Sequence, residues 1–234
     1  MGTLYIVATP IGNLEDITQR AVRILNEADI IACEDTRVTM RLLQHYGIHK
    51  RTIATHAHNE IQSARGIVKL LDEGNDIAFV SDAGTPALSD PGAHLVELVR
   101  KEGHDVIPVP GVSAAVTAVS VAGLMGKSFT FEGFLSVKGG KRKKRLQILL
   151  DRDEAFVLYE SPYRLIKLLE AICELAEDRV VMVAREMTKS YEEYVKGTAA
   201  EVLETYKERP SVKGECVVCV YPRKSSREQI DDNH

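Results

Sequence analysis

No stretch of this chain spells G-x-G-x-x-G or G-x-x-x-x-G-K-[ST]. Loops with Gly and Pro do follow several strand-like runs. Without those spacings, however, a dinucleotide dehydrogenase or a nucleoside triphosphatase lacks the backbone cradle that holds its phosphates. Cysteine is scarce, with four among 234 residues. Cys216 and Cys219 lie three apart in a β-pattern run, which points them to opposite faces, and there is no second pair to complete a zinc site. Reduced, structural cysteines in a cytoplasmic protein without a metal are the expectation. Positive charge is not in excess: 30 Lys and Arg stand against 34 Asp and Glu, a net of −4. That argues against a generally basic nucleic-acid coat and leaves room for a local basic patch. There is no RRM-like aromatic pair and no zinc knuckle, so any RNA would be read chiefly by shape. The longest apolar stretch, residues 106–126, is broken by Pro108, Pro110, Gly111 and Gly123 and reads as strand, loop and buried helix, not a membrane span. The chain enters a strand-like run by residue 3 with no basic region before it, so no leader peptide is expected.

What is present is an ordinary soluble composition, 44% hydrophobic and 27% charged, long enough for one large domain or two small ones. In the first half, apolar runs at residues 4–8, 29–33, 52–55, 77–80 and 105–109 alternate with helical patterns. Asp16 or Thr18 can cap the first helix; a second spans about 39–45, and later ones begin near 61, 95 and 114. Alternation of this kind predicts a mostly parallel sheet with helices on both faces. The second half places strands at 129–135, 155–159, 180–184, 191–197 and 213–221, with fewer helices between them, and predicts a mixed α+β sheet. Residues 136–145 read as a polar, basic loop. The fold class is therefore α/β in two domains, 1–124 and 125–222, followed by a polar tail, 223–234.

The loops after the strands hold the chemistry. The run from Ser81 to Gly92 places Asp82, Gly84, Thr85, Pro86, Asp90 and Pro91 between an apolar strand and a helix. In open α/β sheets ligands bind outside the carboxyl ends of the strands. Two carboxylates there suit hydroxyls or a positive charge, not a phosphate; alternatively Asp82 caps the following turn. Glu34-Asp35-Thr36-Arg37 forms a charged cluster after the second strand, in which Asp35 and Arg37 either face a substrate or form a salt bridge. Lys138, Lys141, Arg142, Lys143, Lys144 and Arg145 are the densest positive run, to be read as a solvated surface or as phosphate contacts.

Several stretches together resemble a known family. They are residues 4–14 (LYIVATPIGNL), Cys33-Glu34-Asp35-Thr36-Arg37, Ser81-Asp82-Ala83-Gly84-Thr85-Pro86, Pro110-Gly111-Val112-Ser113-Ala114, Tyr159-Glu160-Ser161-Pro162, residues 184–189 (AREMTK) and Lys213-Gly214-Glu215. Their order and spacing are similar to those of the ribosomal RNA small subunit methyltransferase I family, of the tetrapyrrole methylase superfamily, over nearly all of residues 2–221. Tyr163 and Ala57 depart from the pattern, where relatives commonly carry His and an acidic residue.

The resemblance implies a tetrapyrrole-methylase-like fold, S-adenosylmethionine as cofactor, a homodimer, and 2′-O-methylation of a decoding-centre cytidine ribose in 16S rRNA or the small ribosomal subunit. It implies Ile11, Asp82, Gly84, Thr85, Ser113 and Ala114 as cofactor contacts, with Tyr159, Ala184 and Gly214 from the second half. A ribose hydroxyl needs a base to take its proton, and the candidates are Asp35, His58 and Glu160, with His56 and Glu186 behind them. Arg37 and the basic run 138–145 are the candidate RNA contacts. A tetrapyrrole-type small-molecule methylase and a non-catalytic ribosome-binding factor are the rival readings.

Overall fold

Four-residue apolar or β-branched runs form the first sheet: β1 (Leu4–Val7), β2 (Ile30–Cys33), β3 (Arg51–Ala54), β4 (Ile77–Val80) and β5 (Val106–Val109). The computed structural model describes residues 1–55, 60–124 and 128–223. All pairings in this sheet are parallel, in the order β3-β2-β4-β1-β5. β2 and β4 are buried at every position, as inner strands of a sheet covered on both faces must be. One face packs against α1 (Gln19–Glu27) and α2 (Thr36–His45), through Ala21, Leu25, Leu42 and Leu43. The other packs against α3 (Glu60–Asp72) and α4 (Ala93–Lys101), through Ile67, Leu71, Leu95 and Val99. Thr18 caps α1 by accepting from the Ala21 amide at 3.0 Å.

The second sheet contains β6 (Phe129–Phe134), β7 (Ala155–Glu160), β8 (Val180–Arg185), β9 (Glu193–Thr198) and β10 (Cys216–Val220), in the order β6-β7-β10-β8-β9. β6 runs parallel to β7 and the other pairings are antiparallel, so the sheet is mixed. Alternation divides its faces. Phe156, Leu158, Val181, Val183, Cys216, Val218 and Val220 join one core with α6 (Gly139–Asp151), α7 (Pro162–Ala176) and α8 (Ala199–Lys207). Val157, Tyr159, Met182, Ala184, Val217 and Cys219 face the other way, and α5 (Ala114–Ala122) packs on β7 and β10. Cys216 and Cys219 are thus on opposite faces, both buried and both free thiols.

Three boundaries differ from the sequence reading. Residues 139–145 are not loop but the first two turns of α6, because Leu146, Leu149 and Leu150 supply a buried helical stripe and the Lys and Arg residues before them are good helix formers. α2 begins at Thr36, since Asp35 already caps it through the Arg37 amide at 2.8 Å. The chain divides into Met1–Ser113 and Ala114–His234, earlier than the expected 124/125, because α5 packs on the second sheet. Of the tail, only Arg223 lies among the described residues.

Two polar knots fix the second unit. One is centred on the buried Arg179 guanidinium, which holds Asp153 and the Tyr221 carbonyl. In the other, Glu193 takes Arg209 through two bonds of 2.6 and 2.8 Å and Arg185 Nε at 2.9 Å. These guanidinium bonds, Arg209 first, outweigh desolvation and hold the Glu193 carboxyl down at about 2. Its folded value lies below its unfolded one, so the contribution is complete above about pH 5 and disappears as pH falls toward 2. Glu193→Gln is expected to lower stability by about 1–2 kcal/mol at neutral pH, allowing for solvent screening. The deficit should shrink steadily between pH 5 and 2, as read from urea midpoints; one that does not change with pH would contradict the assignment.

Candidate active site

The order of the first sheet predicts where a ligand sits. β1 connects across β4 to β2, and β4 connects across β1 to β5, so the adjacent strands β1 and β4 send their connections in opposite directions. A crevice opens at the carboxyl ends of such a pair. There the two loops are stitched together: the Thr9 amide donates to Gly84 O at 2.9 Å, and the Gly84 amide donates to Thr9 O at 3.0 Å. Thr9 Oγ1 also reaches Ser81 O at 3.2 Å. Gly84 has φ +80°, and a Cβ there would stand 3.4 Å from Ile11 Cγ2. A side chain would be strained by that backbone and would fill the approach to Ile11. Thr85 Oγ1 donates to Val112 O at 2.9 Å and so ties in the loop after β5.

The structure therefore gathers Ile11, Asp82, Gly84, Thr85 and Ser113 at one end of one sheet. Asp82 Oδ1 accepts the Asp35 amide at 3.0 Å, which binds the loop after β4 to the loop after β2. The other oxygen of Asp82 has no partner among the described residues. Ser113 Oγ is buried without a hydrogen-bond partner. A buried hydroxyl left unsatisfied costs about 1–3 kcal/mol, and a polar ligand would satisfy it.

The candidate bases separate on geometry. Asp35 caps α2 and grips Arg37, with Nη2 at 2.6 Å from Oδ2 and Nε at 3.1 and 3.2 Å from the two oxygens. The Arg37 side-chain bond, followed by the Arg37 amide, holds the Asp35 carboxyl down at about 2, which makes it a weak base. Arg37 is correspondingly tied to Asp35, although its far side remains open to solvent. Glu160 is corrected outright. Strand alternation turns it to the core face of β7, where its side chain is fully buried, accepts the Ser161 amide at 2.8 Å and is paired with Arg164 at 3.0 Å. Its carboxylate is taken up by those two partners. His56 and His58 lie outside the described residues. Glu186 accepts from Lys189 Nζ at 2.9 Å and from the Glu215 amide at 3.0 Å, a tie that closes the loop before β10.

Glu34 is the residue that the sequence reading did not single out. Burial first, then the nearby charges of Asp82 and Asp35, push its carboxyl above the usual range. The only signal in the sequence was its place at the end of an apolar strand beside another acid.

In the second unit, β-sheet register places Phe134, Tyr159, Val217 and Ala184 in one row. Tyr159 and Ala184 therefore share a face, and the Tyr159 hydroxyl accepts the Ala115 amide at 3.1 Å, capping α5 just after Ala114. Gly214 has a different local reason: φ is +85° and a Cβ would fall 2.2 Å from Glu186 Cγ. It makes room for the Glu186 tie, whatever else its backbone does. Along α6, Arg145 is clamped to Glu132 by bonds of 2.7 and 2.6 Å, and Lys143 pairs with Glu174 at 2.8 Å. Lys138, Lys141, Arg142 and Lys144 have no ion pair among the described residues, and Arg142 Nε is a buried donor without a partner. Among the described residues no helix is long and apolar enough to cross a membrane, and no cluster of three His, Cys, Asp or Glu is placed to hold a metal ion.

The family model for tetrapyrrole (corrin/porphyrin) methylases matches residues 3–203. Among solved structures, a diphthine synthase superposes with TM-score 0.74 at 13% identity, covering 98% of this chain and 94% of its own. A cobalt precorrin-4 methyltransferase superposes with TM-score 0.71 at 18% identity, covering 94% of each chain. Those likenesses establish the fold. Sequence relatives are much nearer. A ribosomal RNA small subunit methyltransferase I of Haemophilus influenzae is 45% identical over 98% of this chain and 82% of the relative. One of Borrelia garinii is 49% identical over 93% of this chain and 97% of the relative. The stitched strand-end loops, the two sheets and these identities agree: the chain belongs to the ribosomal RNA small subunit methyltransferase I family of the tetrapyrrole methylases.

Proposed function

We propose that this protein transfers a methyl group from S-adenosylmethionine to the 2′-hydroxyl of a cytidine ribose in the decoding centre of 16S rRNA. The observation that supports the RNA substrate is the identity of 45% over 98% of the chain with a small-subunit rRNA methyltransferase. S-adenosylmethionine, when bound, supplies an electrophilic methyl on a sulfonium, so neither a metal nor a covalent enzyme intermediate is required. The residues at the β1/β4 crevice suit such a cofactor. Gly84 leaves backbone open, Asp82 offers carboxylate lone pairs to a hydroxyl or an amine, and the orphaned Ser113 hydroxyl awaits a polar partner. Thr85 holds the wall in place rather than presenting a free proton, since its hydroxyl already donates to Val112.

The remaining task of the protein is to hold the ribose oxygen in line and take its proton. Correct positioning contributes about 7–11 kcal/mol of barrier lowering, and a base typically another 10²–10⁴-fold. Glu34 fills the second role better than Asp35. It keeps a more basic carboxyl, while Asp35 caps α2 and orients Arg37. The unpaired cations of α6 are the phosphate contacts.

The test is to incubate the purified protein with methyl-labelled S-adenosylmethionine and, separately, bare 16S rRNA, small subunits and intact ribosomes. Label is expected in small-subunit rRNA at one cytidine, with resistance to alkaline cleavage at that step because the 2′-oxygen can no longer attack the phosphodiester. Label on a base, or none in any of the three, would overturn the proposal. Label in a tetrapyrrole alone would favour the small-molecule reading.

A further inference from the structure

Tyr163 is 90% exposed, Val137 72% and Phe134 55%, an unusual concentration of large apolar side chains in water. They belong to segments at one end of the second sheet that are bonded to each other. Arg164, next to Tyr163 in the first turn of α7, donates from Nη2 to Leu135 O at 2.7 Å, and Leu135 follows Phe134 at the end of β6. The Phe134 ring meets Tyr159 edge-on, with centroids 5.7 Å apart. Beside it, Lys138 precedes α6 and Lys141, Arg142 and Lys144 lie in its first turns, unpaired among the described residues.

Stability does not account for this arrangement. Exposed aromatic rings gain little from burial, and cations in the first turn of a helix oppose its dipole, here with no acidic residue to offset them. Flat apolar faces next to free positive charge match one kind of partner. Unpaired nucleotides offer π-faces for stacking and phosphates for the cations. A protein partner would meet the rings equally well but would need an acidic surface against α6; a folded duplex would meet the cations but present no free base faces.

We propose that Phe134 and Tyr163 form a stacking platform for unpaired bases of the RNA, with Lys141, Arg142 and Lys144 on the adjoining phosphates. The proposal rests on the reading of an RNA substrate and adds that the segment recognised is single-stranded, with its bases turned out. Stacking and phosphate contact are separable in experiment, because only the second releases counterions.

The test uses a fluorescein-labelled single-stranded RNA oligonucleotide, a second of equal length and charge whose bases are removed, and the full-length protein. Tyr163→Ala and Phe134→Ala are each expected to weaken binding of the intact oligonucleotide by roughly 5- to 100-fold, with the slope of log affinity against log salt unchanged. Against the base-free oligonucleotide the same variants should bind like the wild type, and Tyr163→Phe should retain most of the affinity. Lys141→Gln with Lys144→Gln should flatten the salt slope on both oligonucleotides. Circular dichroism serves as a folding control for both variants, and titration with S-adenosylmethionine is expected to be unchanged for Tyr163→Ala and separates any effect of Phe134→Ala passed through Tyr159 from loss of RNA binding. Wild-type affinity of both alanine variants for the intact oligonucleotide would overturn the platform. Methyl transfer by the wild type to small subunits is scored separately, so failure of the enzymatic reading is seen apart from failure of the platform.

Discussion

Glu34→Gln is expected to lower the rate of methyl transfer by about 10²–10⁴-fold while leaving the affinity for S-adenosylmethionine within a few-fold of the wild type. The argument begins with position. Glu34 follows the last residue of β2 and precedes the cap of α2, at the same end of the sheet as Asp82 and the stitched Thr9–Gly84 loops. Burial and the charges of Asp82 and Asp35 both disfavour its ionised form, which raises its affinity for a proton. Glutamine retains the shape and loses the lone-pair basicity.

Asp35→Asn is the matched control. Its carboxyl lies at about 2 because Arg37 grips it, and its lone pairs are engaged by the helix cap. Asparagine caps a helix about as well as aspartate, so the change should leave stability close to the wild type and free the Arg37 side chain, with a smaller loss of turnover than at Glu34. A pH profile sharpens the comparison. The wild type's rate should fall on the acid side as Glu34 protonates, and that limb should vanish in the glutamine variant. Glu34→Gln turning over at the wild-type rate would remove Glu34 from the mechanism.

Arg179→Ala should be the most destabilising single change in the second unit, by about 3–5 kcal/mol. The Arg179 side chain is 2% exposed. Its Nη1 donates to Asp153 Oδ1 at 3.0 Å and Tyr221 O at 3.1 Å, and Nη2 donates to Leu150 O at 3.4 Å. Three separate segments thus converge on one guanidinium: the end of α6, the turn before β7, and the residue after β10. Asp153, held at φ +52°, also accepts the Arg223 amide at 2.8 Å. Truncation takes the guanidinium donor from the Tyr221 carbonyl and opens a void where the side chain lay. The melting temperature should drop by roughly 10 °C or more, and lysine, which cannot reach all three acceptors, should recover only part of it. A loss below 1 kcal/mol would mean that water replaces the guanidinium without penalty.

Much of the fold was legible because its signals are local. Short apolar runs at β1, β2, β4 and β5, alternating with amphipathic helices, identify a parallel sheet, and Gly-Pro loops at the strand ends mark the ligand side. α6 escaped because Gly139, Gly140 and a run of cations hide its start, and its helical signal comes only with the later leucines. The sequence places a boundary near 124/125 and the contacts divide the chain before α5, because α5 is short, apolar and rich in small residues and its allegiance is decided by what it packs on. Glu160 and Tyr159 show the limit most clearly. They are neighbours in one motif, yet alternation along β7 sends Tyr159 to the face carrying Ala184 and buries Glu160 against Arg164.

By itself the sequence determined the family, the class of chemistry and the set of loops that carry it, because order and spacing of motifs are properties of the chain. Only the tertiary structure decided which of the acids are engaged and which are poised. Asp35, Glu34 and Asp82 are all carboxylates on loops, and nothing in their identities separates them. What does is the guanidinium that grips the first, the burial and two neighbouring charges that lift the second, and the amide that anchors the third. The grip of Arg37 is local, but the contacts with Asp82 reach across strands and are fixed when β2 and β4 pair.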